Sequence, residues 1–149
     1  VYFMKGSMTM LKMPEFEIGG SITIQKTVTE DDIASNYGNS ELDRLFATPS
    51  LVALMISAST KLIDEKLDEG LVTIGKEIHL IHEKPTLLGQ TITITVTVKE
   101  RHENTPKLDM VAFDEMGIIG RGSFDRVIVS KKALMRKVYA REAMLESRF

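Results

Sequence analysis

The side chains that could do chemistry in this sequence are few: one threonine at the start of an apolar stretch, three histidines and scattered carboxylates. Thr48 and Pro49 open that stretch, and the histidines are His79, His82 and His102. There is no cysteine, which excludes a thiol nucleophile, disulfides and cysteine-ligated metals. The nucleophile elbow of serine hydrolases, the P-loop, the glycine-rich dinucleotide motif and the HExxH zinc motif are all absent.

His79 and His82 are the one pair of residues whose spacing suggests a metal site. They are three residues apart in a predicted strand, and alternate strand residues point to opposite faces of a sheet. The two rings therefore do not converge on one ion. We expect one of them on the core or site face and the other on the surface, with His102 solvated in a polar turn. We predict no metal site and no cofactor.

The element that positions Thr48 is predicted to be a long helix over residues 46–70. Thr48 is the predicted N-cap and Pro49 the first helical residue, where a missing N–H costs nothing. Gly70 can adopt the left-handed conformation that ends a helix. The apolar residues of this segment spread around most of the helix circumference: Leu51, Val52, Leu54, Met55, Ile56, Ala58, Leu62 and Ile63. A helix of this kind is expected to be buried, so a sheet should wrap it.

Strand patterns fill most of the remaining sequence. Residues 21–28 alternate between polar and apolar side chains, and the clearest strand is 90–101. Its apolar residues Ile92, Ile94, Val96 and Val98 occupy one face and threonines the other. Further strands are predicted at 71–83, 107–114 and 118–129. Short turns join the four strands that follow the helix, which predicts an antiparallel meander. The predicted fold class is α+β, a curved antiparallel sheet around one central helix.

The C-terminal residues 130–149 predict an additional amphipathic helix. Leu134, Val138 and Leu145 line one side, which we expect to pack on the sheet or on a partner subunit. At the other end, residues 1–7 are interpreted as a vector-derived leader, with Met8 or Met10 as the native start. The prediction is a single domain over residues 8–149.

The overall composition narrows the possible partners and location. A net charge of −2 gives no electrostatic case for binding nucleic acid or an anionic membrane surface. No apolar run is long enough to span a bilayer. The lack of cysteine fits a reducing compartment, and we predict a cytoplasmic protein.

Several segments in order resemble the hotdog-fold thioesterases of the fluoroacetyl-CoA thioesterase type. They are FATPSLVALM at 46–55, TIGKEI at 73–78, HEKPTLLG at 82–89, FDEMGIIGRG at 113–122 and the pair Asp125–Arg126. The resemblance covers about residues 19–129. It implies a hotdog homodimer, or a dimer of dimers, that binds acyl-CoA or another acyl thioester at the subunit interface. Edge-to-edge joining of two sheets would also protect an exposed edge strand.

The resemblance also implies a set of site residues. In that family a threonine at the helix start, a glutamate eight residues later and a histidine on the next strand are catalytic. Thr48 and His82 match the threonine and the histidine, and Gly75 matches a glycine beside the acyl site. The glutamate position is Ile56 here. Pro49 and Ile56 complete the predicted substrate-binding set with Gly75.

Two main hypotheses follow from this departure. In the first, the protein hydrolyses a small or medium acyl-CoA, with His82 as general base and the helix start as oxyanion site. Thr48 then either positions water or is the nucleophile. In the second, the protein binds acyl-CoA without hydrolysing it, because isoleucine cannot orient a histidine or water. Glu77 and Glu83 are alternative carboxylates, although both are expected on the surface. Dehydration of a hydroxyacyl thioester is a third hypothesis, ranked last because it requires a carboxylate beside the histidine.

Overall fold

The structure is a computed structural model that describes residues 18–147, together with the backbone of two short paired strands, Tyr2–Phe3 and Met10–Leu11. Apart from the backbone of Tyr2–Phe3, the predicted leader over residues 1–7 lies outside the described residues, and so does Met8, one of the two predicted native starts. Five antiparallel strands form one sheet: β1 (Ser21–Thr27), β2 (Leu71–His82), β3 (Thr91–His102), β4 (Thr105–Asp114) and β5 (Gly117–Ser130). The described helices are two α-helices, α1 (Thr48–Asp64) and α2 (Lys131–Glu146), and two short 3₁₀ helices, Glu30–Asp32 and Ala34–Tyr37. The predicted α+β hotdog fold, a curved sheet with a central helix, is confirmed.

The order of strands in the sheet is β1-β3-β4-β5-β2. The predicted four-strand meander is therefore wrong for its first strand, because β2 pairs with β5 and not with β3. The reason lies in the connection between β2 and β3, which crosses the segment before α1. Within it Leu88 donates its N–H to the carbonyl of Arg44, and Gly89 donates to Val28. These hydrogen bonds place β3 next to β1, which is the edge strand opposite to β2.

The core lies between the inner face of the sheet and one face of α1. Alternation along β3 buries Ile92, Ile94, Val96 and Val98, as predicted, each no more than 2% exposed. From the helix the buried residues follow helical spacing: Leu51, Met55, Ala58 and Leu62. The prediction of a helix buried on all sides is wrong for the single chain. The opposite face of α1 is open, and Ile56 on that face is 37% exposed.

The central helix is also shorter than predicted, ending at Asp64 and not at Gly70. Lys66 and Leu67 continue as tight turns, donating to the carbonyls of Ile63 and Asp64. Gly70 does adopt a left-handed backbone, with φ +90°, but it does so in the turn into β2. The chain has to reverse there because β2 runs back along the helix.

Helix α2 follows β5 directly, with the hydroxyl of Ser130 accepting the N–H of Ala133 as an N-cap. None of its described residues is buried. Of the two partners expected for its apolar side, the sheet does not cover Val138 or Leu145, and packing on a partner subunit stays a prediction. Val138, Tyr139, Met144 and Leu145 are 45–62% exposed.

Candidate active site

Thr48 is the first residue of α1, but it does not cap the helix. The N-cap is Ala47, whose backbone is extended and which offers no side-chain hydrogen bond. The predicted N-cap role of Thr48 is therefore wrong, and Pro49 is the second helical residue and not the first. The helix starts one residue earlier because Ala47 is anchored by its own N–H, which donates to the carbonyl of Asp32 at 2.8 Å. The Thr48 hydroxyl is thereby free for another partner.

That partner is His82, the last residue of β2. The Thr48 Oγ1 and the His82 Nδ1 are 2.8 Å apart, a normal hydrogen-bond distance. The two residues predicted to be catalytic thus lie in contact, although 34 positions separate them in the sequence. His79, on the opposite face of β2, has a side chain that is 71% exposed and bonds Glu77 at 2.9 Å. The two histidines are divided as predicted between an inner and an outer position, since His82 is half-buried and His79 lies on the surface.

The imidazole of His82 is half-buried and asymmetric in its contacts. Its Nδ1 faces Thr48, whereas Nε2 is buried and has no hydrogen-bond partner among the described residues. Burial lowers the pKa of His82, and a backbone group of Lys84 partly opposes that shift. A lowered pKa keeps the ring neutral at neutral pH, which is the form that can accept a proton.

The start of α1 supplies a second chemical feature beside this pair. The first N–H groups of any helix have no acceptor within the helix. Here Ala47 bonds Asp32, Pro49 has no N–H, and the first helical bond runs from Leu51 to Ala47. The N–H groups of Thr48 and Ser50 are the remaining two at the positive end of the helix dipole. Donors of this kind stabilise a developing oxyanion.

The other predicted site residues lie apart from Thr48 and His82 within one chain. Ile56 is eight residues along α1, about 12 Å at the rise of a helix. Gly75 is seven residues before His82 on β2, about 23 Å at the rise of a strand. A Cβ at Gly75 would lie 3.1 Å from the ring of Phe124, so the position has room for a hydrogen and little more. One chain thus brings together Thr48, Pro49 and His82 but not Ile56 or Gly75.

Neither alternative carboxylate reaches the histidine. Glu77 bonds His79, and its side chain is 58% exposed. Glu83 pairs with Arg121 at 3.7 Å. Among residues 18–147, no carboxylate forms a hydrogen bond with Thr48 or with His82, and no group of three or more histidine, aspartate or glutamate side chains could hold a metal.

Sequence reasoning missed a buried network at the far end of α1. Asp64 accepts hydrogen bonds from the N–H and the hydroxyl of Thr73. The same hydroxyl accepts from Nε of Arg126 at 2.7 Å, and this arginine is only 5% exposed. Burial lowers the pKa of Arg126 and the charge of Asp64 opposes that shift. From the sequence, an acidic residue at a helix end is expected to be solvent-exposed. Its partner Thr73 lies nine residues later, on β2, and no local pattern links the two.

A second missed residue is Phe46, whose ring lies against the imidazole of His82. The ring centroids are 6.2 Å apart and the ring planes meet at 72°. The sequence signal was present, because Phe46 begins the segment that carries Thr48, but only the fold places it beside β2.

Comparisons with known proteins agree with this architecture. The sequence matches the family profile described as FlK, fluoroacetyl-CoA-specific thioesterase, over residues 28–132. A solved hot-dog-like protein from Thermanaerovibrio acidaminovorans is 30% identical, with a TM-score of 0.81 over 85% of this chain and 93% of that one. Among curated protein sequences none matches the chain.

Two further solved structures are similar. One is a hypothetical protein from Thermus thermophilus, described as a thioesterase superfamily member, with 25% identity and a TM-score of 0.78 over 89% of this chain and 99% of that one. The other is the fluoroacetyl-CoA thioesterase FlK, with 22% identity and a TM-score of 0.77 over 85% and 97%.

No helix within residues 18–147 has the length and apolarity needed to cross a bilayer. The profile match spans well over half of the sequence and includes both Thr48 and His82. This chain belongs to the family whose profile is described as FlK, fluoroacetyl-CoA-specific thioesterase, and has the hotdog fold.

Proposed function

We propose that this protein hydrolyses a small or medium acyl-CoA thioester, with His82 as general base and Thr48 beside it at the start of α1. The observation that carries the proposal is the 2.8 Å contact between the Thr48 hydroxyl and the His82 Nδ1 in a chain of this family. Variants of FlK have been solved with acetyl-CoA, and with fluoroacetate and CoA. The cytoplasmic location inferred from the lack of cysteine stays a prediction.

The geometry favours proton transfer through Nδ1. Nε2 is buried, whereas Nδ1 points to the hydroxyl of Thr48, which is an exposed residue. His82 would take a proton either from that hydroxyl or from a water held by it. The new C–O bond turns the thioester carbonyl into an oxyanion, which the N–H groups of Thr48 and Ser50 would stabilise. Collapse of this intermediate breaks the C–S bond, and the CoA thiolate leaves and takes up a proton. If Thr48 is the nucleophile, water then hydrolyses the acyl-threonine ester.

The test is thioester hydrolysis by the wild-type protein and by His82→Ala on a panel of acyl-CoAs. General base catalysis typically contributes on the order of 10²–10⁴-fold, so we expect a loss of that size in kcat. His79→Ala is the matched control, since it removes an exposed ring from the same strand. Intact-mass spectra after mixing with substrate would show whether Thr48 carries an acyl group. Turnover that is absent in the wild type, or unchanged in His82→Ala, would refute the proposal.

A second candidate function is acyl-CoA binding without hydrolysis. It is favoured by Ile56, an apolar side chain at the position where the resemblance implies a glutamate. Calorimetry with acyl-CoA and a free-thiol assay separate the two candidates, because binding without thiol release supports the second. Ile56→Glu is the informative variant, and gained hydrolysis would show that a carboxylate was the missing part. Its unfolding free energy must be measured alongside, since a charge on a partly buried helix face can destabilise the fold.

We further propose that the site is completed by a second copy, in a homodimer or a dimer of dimers. Within one chain Ile56 and Gly75 lie far from His82, and the open face of α1 and one edge of β2 have no partner in the described chain. Long uncovered strand edges are usually paired or blocked in natural proteins. Light scattering of the purified protein should give the mass of two or four chains; a monomer at working concentration contradicts this part.

A further inference from the structure

Among residues 18–147, no side chain bonds the second ring nitrogen of His82. In many sites the base donates from its second ring nitrogen to a third residue, often a carboxylate, which fixes the ring. Here Nε2 is buried without a hydrogen bond in the described chain, and the nearby Glu83 pairs with Arg121. The polar contacts of the ring are the hydrogen bond of Nδ1 with Thr48 and a backbone group of Lys84. Because no side chain among the described residues bonds Nε2, packing must contribute to the orientation of the ring.

The packing partner is Phe46. Its ring meets the imidazole in an edge-to-face arrangement at 6.2 Å, a preferred geometry for aromatic pairs. Phe46 is 3% exposed, so its ring is part of the core and not a mobile surface group. We propose that Phe46 is a positioning residue that holds the His82 ring with Nδ1 toward the Thr48 hydroxyl, in the role that a polar side chain bonded to the second ring nitrogen usually has. The inference rests on the proposed function for its catalytic meaning.

Phe46 is itself fixed from two sides. Its backbone forms a bridge with Ile33, and its N–H donates to the carbonyl of Thr86 at 2.8 Å. Thr86 is 1% exposed and its hydroxyl donates to the carboxylate of Asp114 at 2.8 Å. Thr86 lies only four residues after His82, so the segment that leaves the histidine returns to clamp the phenylalanine against it. Asp114, the last residue of β4, thus helps to fix Phe46 through its hydrogen bond with Thr86.

The electrostatic surroundings agree with a ring held by packing. The charged residues that adjoin His82 in the sequence or in the neighbouring strand are Glu83, Lys84 and Arg121. None of their charges contributes to the lowered pKa of His82, which comes from burial, with a Lys84 backbone group opposing it. Loss of the Phe46 ring should therefore raise the pKa of His82 toward its ordinary value, because water would replace the phenyl edge.

The experiment compares Phe46→Leu with wild type and with Leu62→Ala. Leu62 is a buried residue at the other end of α1, about 21 Å from Thr48 along the helix, and controls for general destabilisation. A modest misplacement of a catalytic group can cost about 10²-fold, so we expect Phe46→Leu to lower kcat roughly 10- to 100-fold with KM little changed. Leu62→Ala should keep kcat at a temperature where it is folded.

A second readout does not depend on turnover. Nitrogen-15 NMR of the imidazoles reports the tautomer and the pKa of each histidine, with His82 assigned by its loss in His82→Ala. We expect the His82 signals of wild type to show one dominant tautomer, and those of Phe46→Leu to shift toward an average with a raised pKa, while His79 and His102 stay unchanged. If wild type hydrolyses no acyl-CoA, the proposed function fails but this comparison still tests the role of Phe46.

Thr86→Val covers the case in which Phe46→Leu does not fold. It removes the bond to Asp114 without touching either ring, and we expect a smaller change of the His82 signals in the same direction. The inference is overturned if the folded Phe46→Leu, or Thr86→Val in its place, leaves the His82 tautomer and pKa as in wild type.

Discussion

At the scale of single residues, Thr48 illustrates how a residue can look like a helix cap in a sequence and have a different partner in the fold. A threonine before a proline at the start of an apolar segment is a good N-cap candidate. In the structure Ala47 is the N-cap of α1, and the Thr48 hydroxyl forms a hydrogen bond with His82. A substitution of Thr48 should therefore lower activity while leaving stability nearly unchanged.

The first prediction concerns Thr48→Ala and Thr48→Ser. A lost N-cap costs about 1 kcal/mol, but Thr48 is not a cap, so we expect Thr48→Ala to keep the unfolding free energy within about 0.5 kcal/mol. Its kcat should fall on the order of 10²-fold or more, whereas Thr48→Ser should retain much of the activity. Urea unfolding and thiol-release kinetics check the two halves. A large loss of stability with unchanged kcat would restore the capping interpretation.

The second prediction concerns pH and His82. Its folded pKa lies below the unfolded value of about 6.5, so between the two values the unfolded chain binds more protons than the folded chain. The His82 contribution to stability is therefore complete above the unfolded pKa and declines as pH falls below it. We expect the loss of unfolding free energy between pH 7.5 and 5.5 to be smaller in His82→Asn than in wild type. Identical losses in the two proteins would contradict the burial of His82.

The residues of the pair were predictable from the sequence, but their surroundings were not. Thr48 and His82 stand in recognisable local patterns. The contact with Phe46 depends on how the chain from 83 to 90 crosses the segment before α1, and no local pattern encodes that crossing. Asp64 was missed for a related reason, since an acidic side chain at a helix end has no visible partner until β2 is placed beside it.

At the scale of elements, the join between α1 and the sheet rests on a polar cluster at the helix end. Asp64 accepts two bonds from Thr73, and Thr73 in turn receives the Arg126 guanidinium through its hydroxyl and carbonyl oxygens. The cluster connects α1, β2 and β5 at one place. Because the arginine is buried, it depends on these oxygens for its hydrogen bonds.

The third prediction follows from this cluster. Asp64→Ala leaves the N–H of Thr73 without its acceptor and removes the opposite charge near Arg126, so we expect a loss of about 1–3 kcal/mol in unfolding free energy. Glu65→Ala is the control, since Glu65 is the next residue and is exposed. It should stay within about 0.5 kcal/mol of wild type. Equal losses of unfolding free energy in Asp64→Ala and Glu65→Ala, measured by urea unfolding, would mean that Asp64 is solvated.

The strands themselves were largely predictable, because alternation of isoleucine or valine with threonine fixes both the element and its buried face. The order of the strands in the sheet was predictable only in part. Hairpins between β3, β4 and β5 follow from short turns, whereas the pairing of β2 with β5 joins residues such as Leu71 and Ser130. A pairing between segments so distant in sequence is decided by tertiary packing and not by any local pattern.

At the scale of the whole molecule, the described chain leaves two kinds of surface open. One consists of the outer face of α1 and the edge of β2, which we assign to a second copy. The other is α2, which extends from the end of β5 and contains exposed apolar side chains. Only the surface formed by the outer face of α1 and the edge of β2 adjoins the residues expected to bind substrate. Substitutions there should alter activity, whereas removal of α2 should not.

The fourth prediction tests the role of α2 by ending the chain after Lys132. Since no described residue of α2 is buried, its removal exposes little apolar surface that the fold had covered. We expect the truncated protein to keep its fold and acyl-CoA turnover, with Tm lowered by no more than about 4 °C, the equivalent of roughly 1 kcal/mol in a domain of this size. Thermal unfolding followed by circular dichroism and light scattering on the same samples check this. A larger drop in Tm together with a smaller mass would show that α2 packs on another copy, because α2 makes few contacts with its own chain among the described residues.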